Sequence, residues 1–293
     1  MRCLNILGDD PPYLDRYVAI RNRKHREIRT RLTAAHTLIE ERYEVYAQAV
    51  DQGTLADLRS HAQALQISDI LRACYGGATQ PLKQLKQAIK DVQPKRLMKY
   101  CPMCGTTLPG TFDHYMPAVR FPEFAVHPLN LVPCCAKCNS AKDDDWLSED
   151  GKRQFLHAYT DQIPNLQFVI VTLHEDQALD GVGATFSLQR PTGLSDDLWE
   201  LINSHFCRLK LIDRYDELSN DEVAEILSDC RAFCDAGGKD VRDFLSGRAN
   251  DRSEVYGRNH WIGLLMSAMA QHPKLETWIN VARGRTGPAR AET

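Results

Sequence analysis

The chain has no long apolar run. Its longest apolar stretches, near Leu166–Leu173 and Trp261–Ala270, fall far short of the ~20 residues that a helix needs to cross a bilayer. It has no internal repeat, no low-complexity tract and no Gly/Ser linker. Those absences exclude fibrous and collagen-like architectures and wholesale disorder. The opening MRCLNILGDDPP reaches two Asp and two Pro before an apolar signal-peptide core could form. The expectation is a cytoplasmic protein with no membrane anchor. A strong charge bias is missing too: 36 Lys and Arg face 39 Asp and Glu, a formal net charge of −3. A globally basic nucleic-acid binder is therefore excluded. What remains is an ordinary soluble composition, 43% hydrophobic and 26% charged over 293 residues. That length suits two domains, or one with an insertion, and needs no staples to hold a core.

The average charge hides a split. Residues 1–100 carry 17 Lys and Arg against 11 Asp and Glu, and the rest of the chain carries −9. The densest basic run holds Arg21, Arg23, Lys24, Arg26, Arg29 and Arg31. Such a run can grip phosphates through counterion release, or it can be a solvated helix face.

The hydrophobic spacing is helical over most of the chain. Residues 1–95 read as a basic helical domain or arm, with a long helix after Pro12 that ends at Gly53, then helices over 67–74 and 81–92. Residues 96–150 change character and crowd Gly, Pro, Cys, His and Asn. There we expect short extended pieces at 106–108 and 111–114 and a helix over 136–146. Residues 151–280 read as a helix over 152–162, a β-hairpin from LQFVIVTLHE and ATFSLQR, and further helices over 195–218, 221–236, 241–245 and 259–271. Residues 281–293 read as a disordered tail. The fold class expected is mainly α with small α+β parts.

Ten cysteines are a moderate excess, and four of them form two Cys-x-x-Cys pairs, Cys101/Cys104 and Cys135/Cys138. In a cytosolic chain that spacing points to a metal before a disulfide. Two such knuckles supply the four thiolates of a structural zinc. Thirty residues separate Cys104 from Cys135, so something is held between the knuckles. Asp113 and His114 lie there on an expected strand. Neighbouring strand residues point to opposite faces, so both can serve one site only if the strand ends nearby, as Pro117 suggests. Asn139 follows the last cysteine on the next helix. Asp113 and Asn139 offer oxygen donors for a hard divalent cation. His114 beside them is a candidate general base.

This stretch resembles the HNH endonuclease family, with its ββα-metal (treble-clef) core. The elements occur in order over residues 98–146: Cys101-x-x-Cys104, Asp113-His114-x-x-Pro117, His127-Pro128-x-Asn130-Leu131, Cys135-x-x-Cys138-Asn139, then Lys142. The resemblance implies a zinc-bound HNH core flanked by a helical N-terminal and an α+β C-terminal region. It implies His114 as general base, with Asp113 and Asn139 holding one catalytic Mg²⁺ or Mn²⁺. It implies Asn130 tying down the loop that orients His114. Lys142 and Arg120 are expected phosphate contacts, with Arg23, Lys24 and Arg26 adding backbone grip. His127 is expected to be structural.

The function expected from this resemblance is metal-dependent hydrolysis of phosphodiester bonds in DNA, leaving 5′-phosphate and 3′-hydroxyl ends. The alternatives are an RNase or tRNA-directed nuclease using the same site, and a non-catalytic zinc module that binds nucleic acid. The layout is similar to the HNH subunits of Septu-type and retron-linked anti-phage defence systems. That similarity implies an ATPase or other defence partner. A double-strand break would call for two sites, hence a homo-oligomer or a complex.

Overall fold

A computed structural model describes residues 2–176 and 181–285. It is mostly helical, with two small two-stranded sheets. The chain divides into two compact units, Cys3–Gln162 and the remainder from Ile163 onward. This division does not follow the boundaries at 95 and 150, because the N-terminal helices and the cysteine-rich segment share one core.

The first unit opens with helices α1 (Tyr13–Asn22), α2 (Arg26–Ala34) and α3 (His36–Gln52). The expected single long helix is thus broken twice, at the extended His25 and at Ala35, where φ is −90° and ψ is 10°. Its end at Gly53 is as expected, since that residue takes φ +69° and only glycine does so freely. Helices α4 (Ala62–Gln66), α5 (Ser68–Ala73) and α6 (Gln80–Asp91) follow. In α6, Leu82, Leu85 and Ile89 recur on one face and are buried, which is the amphipathic spacing that ties a helix to a core.

Strand β1 (Thr111–His114) pairs antiparallel with β2 (Leu131–Cys134), Asp113 opposite Val132 and His114 opposite Leu131. Helix α7 (Ala136–Lys142) leaves β2 directly. Residues 106–108 are not a strand; the Thr107 carbonyl accepts from the Cys101 N–H and closes a turn. Helix α7 stops at Lys142, short of Trp146, because Asp143 turns the chain at φ +47°. The helix expected over 152–162 does not form. Arg153 is paired with Asp161 at 2.9 Å, and the same carboxylate accepts from the His157 N–H. Those side-chain bonds draw the segment into irregular turns.

The second unit holds the expected hairpin, β3 (Val169–Asp176) with β4 (Gly181–Leu188). Helices α8 (Asp196–Arg208), α9 (Leu211–Asp235), α10 (Val241–Tyr256), α11 (Trp261–Gln271) and α12 (Leu275–Arg285) complete it. The break falls at Lys210, φ +51°, not at 218–221. Buried Tyr215 stacks on Trp261 at 5.6 Å, and Phe186 of β4 meets both rings edge-on. The expected disordered tail corresponds to helix as far as Arg285; residues 286–293 lie outside the described residues.

Candidate functional site

The four cysteines of the two knuckles come together. Cys101, Cys104, Cys135 and Cys138 are buried, and their sulfurs all lie within 4.8 Å of one another. Zinc–sulfur bonds of about 2.3 Å in a tetrahedron put sulfurs about 3.8 Å apart, and Cys104 Sγ lies 3.8 Å from Cys135 Sγ. The donor set fits a structural zinc. Gly105 at φ +68° turns the first knuckle and donates to the Cys101 carbonyl. Backbone N–H groups of Cys135 and Cys138 donate to Cys101 Sγ and Cys135 Sγ. Such bonds favour thiolates. The Cys104 thiol is drawn down, chiefly by its hydrogen bond with Cys101. Cys134 points elsewhere, toward Thr111 Oγ1.

The cluster anchors the base of β2 and α7, and the open end of β1 faces away from it into a cavity of about 530 Å³. Asp113, His114 and Asn139 all line that cavity, with Pro117 beyond them. β1 ends at His114, so the alternation rule no longer separates the two side chains. His114 Nε2 lies 2.9 Å from the Ala125 carbonyl. A carbonyl can only accept, so Nε2 carries the hydrogen and the neutral ring keeps its lone pair on Nδ1. Burial holds the His114 pKa down to about 4, so the ring is neutral at pH 7.

Asn130 lies fully buried beneath this site. Its Oδ1 accepts from the Met116 N–H at 2.7 Å, and its Nδ2 donates to the Met116 and Phe124 carbonyls, each at 3.1 Å. One carboxamide thus clasps both ends of the loop that brings Ala125 to His114. The loop is also tied to the helices, where buried Glu123 pairs with Arg42 of α3 at 2.9 Å. His127 is away from the cavity. It packs against the rings of Tyr13, Tyr43 and Tyr46, a structural place.

The expected phosphate contacts fare differently. Lys142 is a correction: its side chain is 0% exposed. The ammonium pairs with Asp113 Oδ2 at 3.1 Å and donates to the His114 carbonyl at 2.9 Å. It follows Asp113 inward because α7 packs its last turn against β1. Asp113 is nearly as buried, which raises its pKa, while the Lys142 charge pulls it back. Lys24 is a second correction, since its ammonium donates to the Ala73 and Gly76 carbonyls. Arg23, Arg26 and Arg120 are exposed and do not line the cavity. Arg31, from the same basic run, reaches the cavity edge by a bidentate pair with Asp69.

Among the cavity residues that escaped the sequence reading are Arg72 at the end of α5 and Tyr75 just beyond it. They lie some forty residues before β1 and belong to no spacing motif. Only the Gly76-Gly77 pair marks the turn they flank. Asp69 is paired with Arg31, and Asp113 with Lys142. Arg72 is exposed and forms no ion pair among the described residues. Asp143 and Asp144 add exposed carboxylates to the same cavity.

Among proteins of known sequence, the chain is similar to the protein ea31 of Escherichia phage lambda. The two are 27% identical over 135 residues, which is 45% of this chain and 45% of ea31. The chain thus spans less than half the length of that relative. No family model matches the sequence. No solved structure matches it. No helix among the described residues is long and apolar enough to cross a membrane.

Proposed function

We propose that this chain is a metal-dependent endonuclease of the HNH type that hydrolyses phosphodiester bonds, DNA before RNA. The observation that carries the reading is that Asp113, His114 and Asn139 line one cavity. An imidazole with a free Nδ1 lone pair is among the groups lining that space. Asp113 and Asn139 bring a carboxylate and a carboxamide oxygen, the hard donors that Mg²⁺ or Mn²⁺ prefers. A divalent ion held there supplies Lewis-acid stabilisation of the charge that develops on a phosphate and its leaving oxygen.

The remaining work falls to the chain itself. His114 Nδ1 takes the proton of the attacking water. Its Nε2–H stays on the Ala125 carbonyl, and Asn130 keeps that carbonyl in place. Lys142 holds Asp113 from the core side, so its carboxylate keeps one orientation. Arg72 takes the phosphate-binding role first assigned to Lys142, from the wall that α5 supplies. The products are a 5′-phosphate and a 3′-hydroxyl. The layout, a compact cysteine-bound segment between large helical flanks, favours a part in the contest between phage and host. In that setting the chain is an effector of anti-phage defence working with a partner, such as an ATPase.

The test is direct. Purified protein is incubated with supercoiled plasmid, a linear duplex, single-stranded DNA and total RNA, with Mg²⁺, with Mn²⁺ and with chelator. DNA cleavage that needs the metal supports the proposal. His114→Ala should lower the rate by about 100-fold or more. Cleavage confined to RNA replaces DNA as the substrate. Cleavage that survives His114→Ala removes His114 from the mechanism. Binding without cleavage leaves a zinc module.

A further inference from the structure

A hydrogen bond from Nε2 to one carbonyl fixes a point of the His114 ring, not its plane. The ring can still rotate about that bond. A second contact is needed to aim Nδ1, and the turn after α5 supplies one. The Tyr75 ring meets the His114 imidazole edge to face, with centroids 4.4 Å apart and planes at 67°. That is a preferred aromatic geometry. Tyr75 is itself held at both ends. Its hydroxyl donates to the Phe112 carbonyl of β1 at 3.2 Å, and the Lys86 ammonium of α6 lies 3.8 Å from its ring centroid. The turn beneath it is braced by Lys24, which donates to the Gly76 carbonyl at 2.7 Å. Gly77 closes the turn at φ +71°, where a side chain would be strained.

We propose that Tyr75 is a positioning residue for His114, its ring setting the plane of the imidazole so that Nδ1 stays toward the cavity shared with Asp113 and Asn139. The inference rests on the nuclease reading of that cavity. It means that β1, β2 and α7 do not suffice for activity. The N-terminal helices complete the site, and Lys24 and Lys86 act through Tyr75 rather than on the substrate.

Tyr75→Ala, Tyr75→Leu and Tyr75→Phe are compared in the full chain, with Mg²⁺ and a short DNA duplex. Tyr75→Ala and Tyr75→Leu should lower kcat by about 10–100-fold and leave KM within about 3-fold, the pattern of a misaimed group. Tyr75→Phe keeps the ring and should recover kcat to within about 3-fold of the parent. A second readout needs no activity. In histidine-labelled protein, long-range ¹H–¹⁵N spectra, assigned through His114→Ala, should show the His114 ring signals moved by Tyr75→Ala and restored by Tyr75→Phe. Unchanged kcat in Tyr75→Ala, a loss that only tracks the unfolded fraction, or unmoved His114 signals overturn the proposal. A parent chain that cleaves no nucleic acid overturns the nuclease reading instead, and the ring signals then report separately whether the contact exists.

Discussion

Replacing Lys142 by Met leaves the Asp113 carboxylate buried without its cation. The parent pair is close to dry: the two side chains are 0% and 5% exposed, 3.1 Å apart. The same ammonium satisfies the His114 carbonyl at 2.9 Å. Removing one member of a buried pair costs about 3–5 kcal/mol, because the remaining charge has no water to replace its partner. The orphaned carbonyl adds to that penalty rather than offsetting it. Met matches the length of the lysine stem and keeps its packing under Phe155, so a cavity contributes little. Lys142→Met should therefore lower the opening free energy of the β1–β2 segment by about 3–5 kcal/mol. Native-state hydrogen exchange over residues 111–134 reads that quantity locally. The double variant with Asp113→Asn removes both charges and should be less destabilised than the two singles combined, with a coupling of about 2 kcal/mol or more. A loss under about 1 kcal/mol, or strict additivity, would refute the claim that Lys142 serves Asp113 rather than solvent or substrate.

Three further outcomes follow from the same geometry. Arg72→Ala should raise KM for a DNA duplex about 10–100-fold with little change in kcat, the worth of one charged hydrogen bond to phosphate; an unchanged KM removes Arg72 from the substrate contacts. Colorimetric release of bound metal should find one zinc per chain, and Cys104→Ser or Cys138→Ser should lose it and melt the β1–β2–α7 segment; retention of zinc by either variant would place the metal elsewhere. Burial pushes the pKa values of His127 and His157 down to about 3, so both are neutral in the fold and protonate more readily once unfolded. Their contribution is fully present above the unfolded value of about 6.5 and is lost as pH falls toward 3, by about 1.4 kcal/mol per pH unit for each. Melting temperature should drop between pH 6.5 and 5, and His127→Phe should flatten the slope; a flat profile in the parent contradicts the burial argument.

How far the sequence reached depends on the range of the interaction. Spacings of two residues are local, so Cys101/Cys104 and Cys135/Cys138 announced a four-thiol cluster before any fold was known. Asn139 was legible for the same reason, since it follows Cys138 directly, whereas the Asp113–His114 pair was legible from the order of the motif elements between the knuckles. The hairpin of β3 and β4 was legible because β-branched alternation has a period of its own. The helix expected over 152–162 failed because the Arg153–Asp161 pair and the bond from the His157 N–H to that carboxylate outweigh a modest helical propensity. Helix breaks were misjudged at His25, Ala35 and Lys210, where no Gly or Pro gives a signal.

Charge was the least legible property. A lysine three residues past a candidate metal ligand looks free in a sequence, and whether it faces solvent or core is fixed by where its helix packs. Lys142 turned inward because α7 leaves β2 so as to lay its last turn on β1. Arg72 and Tyr75 became cavity residues only because α5 packs against the β1–β2 loop. The sequence by itself determined the ligand types and their local spacing, since these depend on neighbours along the chain. The tertiary structure alone decided which cations meet which carboxylates, because burial and pairing are set by contacts between residues that the chain keeps far apart.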